Sequence, residues 1–158
     1  MRLDWRIFEE LTCELFRLSG FYAELTSRRS EGGIDLILRE NYSSVPIKAV
    51  QCKSWSVRKI GLKEIRELLA SMVNEGIEQG VFVSSNKFSD EARRFANRKN
   101  IELMDGSSML EVIQKIEKAN NLDLLSKFKQ EGCFTPSCPS CGTKMVVIEL
   151  PKLGHVIG

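Results

Sequence analysis

The sequence contains a single histidine, His155, which lies far from the acidic residues of the first half of the chain. This scarcity argues against Ser-His-Asp and Cys-His catalytic arrangements, because both need an imidazole base beside the nucleophile. The sequence also has no Gly-x-x-x-x-Gly-Lys loop, which argues against a nucleotide-driven motor. Candidate chemistry is therefore sought among acidic, amide and basic side chains.

Long apolar runs are absent too, since no stretch approaches the roughly 20 residues that a membrane-spanning helix needs. The first residues, Met1 to Arg6, are charged and contain no signal-peptide core. We therefore expect a cytoplasmic protein without a membrane partner. In that compartment the five cysteines are expected to be thiols or metal ligands rather than disulfides.

The patterning of the chain predicts a main domain followed by a small second unit. Helical and strand patterns alternate over residues 1–118, which favours an α/β fold with a mixed sheet covered by helices. Residues 119–132 are expected to form a linker or a short helix. Residues 133–158 are rich in cysteine, proline and glycine and are expected to be separate.

Two short apolar runs separated by a polar turn predict a β-hairpin; they are residues 33–39 and 47–53. An antiparallel pairing centred on Ser43 places Asp35 directly opposite Gln51. Lys53 then projects from the same face as Gln51, because side chains alternate along a strand. Cys52 points to the opposite face and is expected to be a small core residue, as is Cys13 in the first helix.

An acid, an amide and a lysine that converge in this way suit metal-dependent chemistry on a phosphate. The Asp35 carboxylate, the Gln51 amide oxygen and the Cys52 carbonyl are oxygen ligands of the kind that Mg²⁺ accepts. Lys53 is placed to position water or to stabilise the charge of the transition state. Glu9 or Glu10 of the first helix is a candidate second carboxylate. The alternative is an ordinary Asp35–Lys53 cross-strand ion pair, with Gln51 as a polar edge residue.

The order of these motifs resembles that of the Mrr-like restriction endonuclease domain, in the acid…Gln-x-Lys branch of the PD-(D/E)xK nucleases. The motifs are Trp5…Phe8-Glu9, Gly20-Phe21, Gly32-Gly33-Ile34-Asp35-Leu36, Val50-Gln51-Cys52-Lys53, Phe88-Ser89…Ala92 and Asp105-Gly106. The resemblance covers residues 1–118. It implies a three-layer α/β/α restriction-endonuclease-like fold and Mg²⁺- or Mn²⁺-dependent hydrolysis of DNA.

The resemblance also implies roles for individual residues. Asp35 and Gln51 match the metal-binding pair, Lys53 the catalytic lysine and Glu9 the helix-borne glutamate. Glutamine replaces the more usual acid of the wider group, which leaves one or two catalytic metals open.

Basic residues flank the hairpin and are candidates for contacts with the DNA backbone, in a monomer or a homodimer. Two other functions remain open: a catalytically inactive DNA-binding module of the same fold, and a zinc-bearing interaction protein. The candidate contact residues are Arg28, Arg29, Arg58, Lys59, Lys63 and Arg66.

The last part of the chain contains a Cys-x-x-Cys pair, Cys138 and Cys141, which has the form of a zinc knuckle. Its surroundings are similar to the topoisomerase-type zinc ribbons that follow some Mrr-like domains. Those ribbons have a second cysteine pair, which is missing here. Either the ribbon is partial, or Cys133 and His155 complete a Zn²⁺ site.

Overall fold

The structure, a computed structural model, describes residues 5–26, 33–41, 43–54, 58–126, 147–150 and 154–157. Its elements in chain order are α1 (Trp5–Leu18), β1 (Tyr22–Leu25), β2 (Leu36–Arg39), β3 (Pro46–Lys53), α2 (Leu62–Glu75), β4 (Gln79–Ser84), α3 (Asp90–Asn97), β5 (Ile101–Met104), α4 (Gly106–Asn120), β6 (Val147–Leu150) and β7 (Gly154–Ile157). Strands β1 to β5 form one sheet in chain order. The pairs β1–β2 and β2–β3 are antiparallel, and the pairs β3–β4 and β4–β5 are parallel, so the sheet is mixed as predicted.

Helices cover both faces of this sheet, which confirms the predicted three-layer α/β/α fold. Side chains of α1 and α4 form one apolar layer against the sheet, with Phe8 and Ile113 fully buried. Side chains of α2 and α3 form the other layer, with Leu68 and Phe82 at its centre. Strand residues alternate between the two layers, since Val50 belongs to the first and Ala49 to the second.

Helices α3 and α4 begin where the sequence supplies a capping side chain. The Ser89 hydroxyl accepts a hydrogen bond from the Ala92 N–H at the start of α3. The Asp105 carboxylate accepts one from the Ser108 N–H at the start of α4. These groups satisfy donors that the first turn of a helix leaves unpaired. Capping therefore fixes where α3 and α4 start beside the ends of β4 and β5.

The predicted hairpin register is confirmed. Leu36 pairs with Val50 and Ile37 with Ala49, as expected for a pairing centred on Ser43. The register shifts between Leu38 and Arg39, a bulge near the turn that the sequence did not indicate. The shift lies on the turn side of the hairpin, and at the other end the ladder stops at the Leu36–Val50 pair, just before Asp35 and Gln51.

The end of the chain is described only as two antiparallel strands, β6 and β7, in which His155 lies opposite Glu149. Cys133, Cys138 and Cys141 lie outside the described residues, so the zinc site stays a prediction. Of the helices in the described ranges, none has both the length and the apolar character needed to cross a membrane.

Candidate active site

The site lies where strand β3 extends beyond strand β2. The last residue pair of the β2–β3 ladder is Leu36 with Val50, whereas β3 continues to pair with β4 as far as Lys53. The Cys52 N–H therefore has no ladder partner in β2. The Asp35 carboxylate takes that place, because its Oδ2 accepts a hydrogen bond from the Cys52 N–H at 2.6 Å. The carboxylate is thus brought between the positions of Gln51 and Lys53.

The backbone of Asp35 is held from both sides. Its N–H donates to the Val50 carbonyl at 2.8 Å, and its own carbonyl accepts from the Thr26 N–H at 2.9 Å. The Thr26 hydroxyl also donates to the Ile34 carbonyl at 2.6 Å. These bonds join the ends of β1, β2 and β3. They fix the backbone position from which the Asp35 side chain extends.

The Asp35 carboxyl is an unusual acid. Burial raises its pKa to about 6, against the opposing effect of the Cys52 N–H hydrogen bond. No ion pair reaches Asp35 within the described part of the chain. A partly buried carboxylate without a cation is costly to ionise, and a bound cation would remove that cost.

The neighbouring Gln51 side chain has an unsatisfied acceptor. Its Oε1 is fully buried and has no hydrogen-bond partner among the described residues. Buried polar atoms are seldom left in this state. The Asp35 carboxylate and the Gln51 amide oxygen are hard oxygen donors, so the residues present fit a Mg²⁺ or Mn²⁺ ion.

Lys53 does not pair with Asp35, so the alternative of a cross-strand ion pair is not what forms. Its Nζ instead lies 3.7 Å from Oε1 of Glu64, in the first turn of α2. Lys53 thus projects towards α2, whereas Cys52 packs with the apolar layer of α1. This is the alternation predicted from the sequence. Glu64 was not predicted as a site residue.

Glu9 lies on the α1 side of the same strand end. Burial raises the pKa of the Cys52 thiol well above its usual value, and the charges of Asp35 and Glu9 raise it further. A hydrogen bond from Thr12 opposes these effects. Glu9 is half-buried and Glu10 exposed. Within the described ranges, no group of three or more His, Cys, Asp or Glu side chains is arranged to share a metal ion.

Two loops at the carboxyl ends of β3 and β4 form a basic ridge, which we define as residues 58–60 and 86–89. The Ile60 N–H donates to the Lys87 carbonyl, the Ser89 N–H to the Ile60 carbonyl, both at 2.9 Å. Arg58, Lys59 and Lys87 are exposed on this ridge. Lys87 is absent from the residues predicted to contact DNA. A lone lysine in a loop gives no sequence pattern that could have found it.

The remaining predicted contact residues lie elsewhere. Lys63 is exposed on α2 and pairs with Glu67 at 4.0 Å. The Arg66 guanidinium lies 5.6 Å from the centre of the Phe95 ring and so bridges α2 and α3. Arg28 and Arg29 lie outside the described residues, and their predicted role stays a prediction.

Gly33 is expected to be indispensable, because it has a φ of +68° and lies against Gln51. A Cβ at this position would be 3.3 Å from Gln51 Nε2. We expect Gly33→Ala to destabilise the protein by about 1–2 kcal/mol and to shift the Gln51 amide. Urea unfolding and the cleavage rate of the remaining folded protein would measure the two effects.

Gly76→Ala is the matched control, because Gly76 has a φ of +67° but, among the described residues beyond its own helix end, no atom lies within 4 Å of its Cβ position. It should lose similar stability and keep the cleavage rate of the folded protein. Equal cleavage rates for the two variants would contradict a role for the Gly33–Gln51 contact.

Comparison with known proteins relates this chain to restriction endonucleases. A family model described as restriction endonuclease (Mrr_cat) matches residues 1–113. The uncharacterized protein y4cE of Sinorhizobium fredii (strain NBRC 101917 / NGR234) is 33% identical over 92 residues. That match covers 57% of this chain but only 24% of the length of y4cE.

Solved structures share the fold at low sequence identity. The MspJI restriction endonuclease in complex with a 27-mer oligonucleotide has a TM-score of 0.59 and 20% identity, over 80% of this chain and 32% of that one. The DNA modification-dependent restriction endonuclease AspBHI has a TM-score of 0.59 and 19% identity, over 80% and 34%. The protein of unknown function AF1548 has a TM-score of 0.59 and 20% identity, over 82% and 79%.

Proposed function

Because the chain belongs to the Mrr_cat restriction endonuclease family, we propose that it is a Mg²⁺-dependent endonuclease that hydrolyses phosphodiester bonds of DNA. One observation carries the proposal. The half-buried Asp35 carboxylate, held by the Cys52 N–H, lies at the same strand end as the Lys53 ammonium and the Gln51 oxygen, which has no partner among the described residues. An acid, a neutral oxygen donor and a cation at one place suit attack of water on a phosphate.

We assign two roles to the site residues. Three of them would hold a metal ion, and Lys53 would act on the phosphate. Asp35 and Gln51 would hold Mg²⁺ or Mn²⁺, and Glu9 would contribute through a water from the α1 side. Bound there, the cation supplies charge neutralisation of the phosphate and a more acidic water. Asp35 must be ionised for this, and its raised pKa means that a cation would stabilise that form.

Lys53 is the group that we assign to the reacting phosphate. Its ammonium can donate to a non-bridging phosphate oxygen or to the attacking water, but it has no lone pair and so cannot take a proton from the water. The water oxygen bonds to phosphorus and releases a proton to solvent, while the bond to the leaving sugar oxygen breaks and that oxygen takes a proton from solvent. Negative charge grows on the phosphate oxygens during this step. A fixed cation stabilises this charge more than the charge of the ground state.

The basic ridge is the surface that we propose as the first contact with DNA. It lies beside the strand end that holds Lys53, since Lys53 pairs with Ser84 just before residues 86–89. Within the described ranges, neither Lys59 nor Lys87 forms an ion pair. Unpaired exposed cations bind the phosphate backbone without sequence preference.

We expect Lys87→Ala to weaken DNA binding several-fold, because it removes one phosphate contact. The slope of log affinity against log salt concentration should become shallower by about 0.9. Fluorescence anisotropy with a labelled duplex between low and moderate salt would measure both.

Lys118→Ala is the control, because Lys118 lies in the last turn of α4. This helix packs on the face of the sheet opposite α2 and α3. It should leave the affinity and the salt slope unchanged. Equal effects of the two substitutions would contradict a DNA-binding role for the ridge.

The nuclease proposal is tested with a closed circular plasmid and a linear fragment that is blocked at both ends. An endonuclease nicks or linearises the circle and shortens the blocked fragment when Mg²⁺ is present, and EDTA prevents both. DNA binding without cleavage at any divalent cation concentration would indicate the inactive module instead. A double-strand break needs two active sites or two events, and we propose a homodimer for that step.

A further inference from the structure

The ion pair between Lys53 and Glu64 joins the proposed site to helix α2. Lys53 Nζ and Glu64 Oε1 are 3.7 Å apart, and the two side chains are 42% and 26% exposed. An ion pair with this exposure contributes little to folding stability. Its position matters more than its energy, because Lys53 is the cation assigned to the phosphate.

Glu64 is itself held by the start of its helix. Its Oε2 accepts a hydrogen bond from the Gly61 N–H at 3.1 Å, so the two carboxylate oxygens serve different partners. This bond is half of a capping box, in which the side chain of the third helical residue accepts a hydrogen bond from the backbone N–H of the residue that precedes the helix. The hydrogen bond to Gly61 fixes the Glu64 carboxylate. The fixed carboxylate then limits the positions that the ammonium of the flexible Lys53 side chain can take.

Helix α2 also reaches the proposed site at a second position, beside Gln51. Glu64, Leu68 and Ser71 follow an i, i+4, i+7 spacing and so lie on one face of the helix. Leu68 and Ser71 are buried in the layer that faces the sheet. The Cβ position of Gly33 lies within 4.0 Å of both Gln51 and Ser71, which places Ser71 beside Gln51. The same helix face thus reaches Lys53 at one end and Gln51 at the other.

We propose that Glu64 is a positioning residue for Lys53 and sets the location of its ammonium before DNA binds. This inference rests on the proposed cleavage reaction for its consequence, but the positioning itself is a property of the metal-free protein. Misplacement of a reacting group by about 1 Å costs up to about 10²-fold in rate. We therefore expect loss of Glu64 to reduce the rate of cleavage without weakening DNA binding.

Glu64→Gln is the decisive variant, because glutamine can still accept the Gly61 N–H hydrogen bond while it lacks the charge that attracts Lys53. Glu67→Gln is the matched control, since Glu67 lies on the same helix, pairs with Lys63 and faces solvent. The first measurement is the ¹H–¹⁵N signal of the Lys53 ammonium in metal-free protein, assigned by its absence in Lys53→Met. The second is the single-turnover cleavage rate with saturating DNA, together with the Kd for DNA.

We expect Glu64→Gln to shift or broaden the Lys53 ammonium signal and to lower the single-turnover rate about 10- to 100-fold. The Kd for DNA and the thermal midpoint should change little, and Glu67→Gln should change none of these quantities. An unchanged ammonium signal in Glu64→Gln would overturn the inference, and so would a loss of rate matched by an equal loss of affinity. If the wild type cleaves no DNA, the proposed function fails, while the ammonium signal still decides whether Glu64 positions Lys53.

Discussion

Asp35→Asn is expected to abolish DNA cleavage and, at the same time, to make the metal-free protein more stable at pH 8. Asparagine can accept the same hydrogen bond from the Cys52 N–H, so the strand end should keep its shape. It lacks the negative charge that would hold a divalent cation. We expect the cleavage rate to fall on the order of 10³-fold or more, because Lewis-acid assistance contributes several kcal/mol.

The gain in stability follows from the pKa of Asp35. That pKa is about 6 in the folded protein, whereas an aspartate in an unfolded chain titrates at about 3.9. Between these two values the folded state binds more protons than the unfolded state, so this group lowers stability as pH rises. Well above pH 6 the cost is complete and amounts to about 3 kcal/mol, which asparagine removes.

Urea unfolding of the metal-free proteins at several pH values would measure this effect. The stability difference between Asp35→Asn and wild type should be largest at pH 8 and should shrink towards zero near pH 4. Asp105→Asn is a control of opposite sign. Partial burial tends to raise the pKa of Asp105, but hydrogen bonds from Ser108 and the charge of Arg93 lower it overall. Asp105→Asn should therefore reduce stability at neutral pH. A less stable Asp35→Asn protein at pH 8 would contradict the proposed environment of Asp35.

Lys53→Met is expected to remove most of the chemical step and little of the DNA binding. Methionine keeps the length of the side chain but cannot donate to the phosphate. Loss of one positioned donor to a developing oxyanion reduces rates about 10²–10³-fold, and we expect a loss in this range. The stability should change by less than about 1 kcal/mol, because the Lys53–Glu64 pair is partly exposed. Single-turnover cleavage and anisotropy would separate these effects.

Lys48→Met is the matched control for this substitution. Lys48 is on the same strand as Lys53 and also pairs with a glutamate, since its Nζ lies 3.6 Å from Glu102. It lies at the other end of β3, away from Asp35. The Lys48→Met protein should cleave DNA at the wild-type rate. A Lys53→Met protein that cleaves equally well would remove Lys53 from the mechanism.

The hairpin could be predicted from sequence because its causes are local. Two apolar runs of fixed separation and a polar turn determine which residues pair, and Leu36 opposite Val50 confirms the result. The face of each side chain then follows from alternation, so the opposite directions of Cys52 and Lys53 were predictable as well. The bulge at Leu38 was not, because an extra residue near a turn leaves no mark in the hydrophobic pattern.

The partners of the site residues could not be predicted, because they depend on how separate elements meet. Glu64 is recognisable as a helix-capping glutamate, but nothing in the sequence relates it to Lys53 before α2 packs on the sheet. Lys87 joins Arg58 and Lys59 only because Ile60 and Phe88 form a bridge between two loops. Contacts of this kind are set by tertiary packing, which local patterns do not encode.

The most direct test of the proposed active site is the nicking of a supercoiled plasmid by wild type and Asp35→Asn, side by side, in the presence of Mg²⁺. We predict nicked or linear DNA with wild type, none with wild type in EDTA, and none with an equally folded Asp35→Asn protein. Equal cleavage by both proteins would contradict the assignment of Asp35. The absence of cleavage by folded wild type with any divalent cation would contradict the nuclease itself.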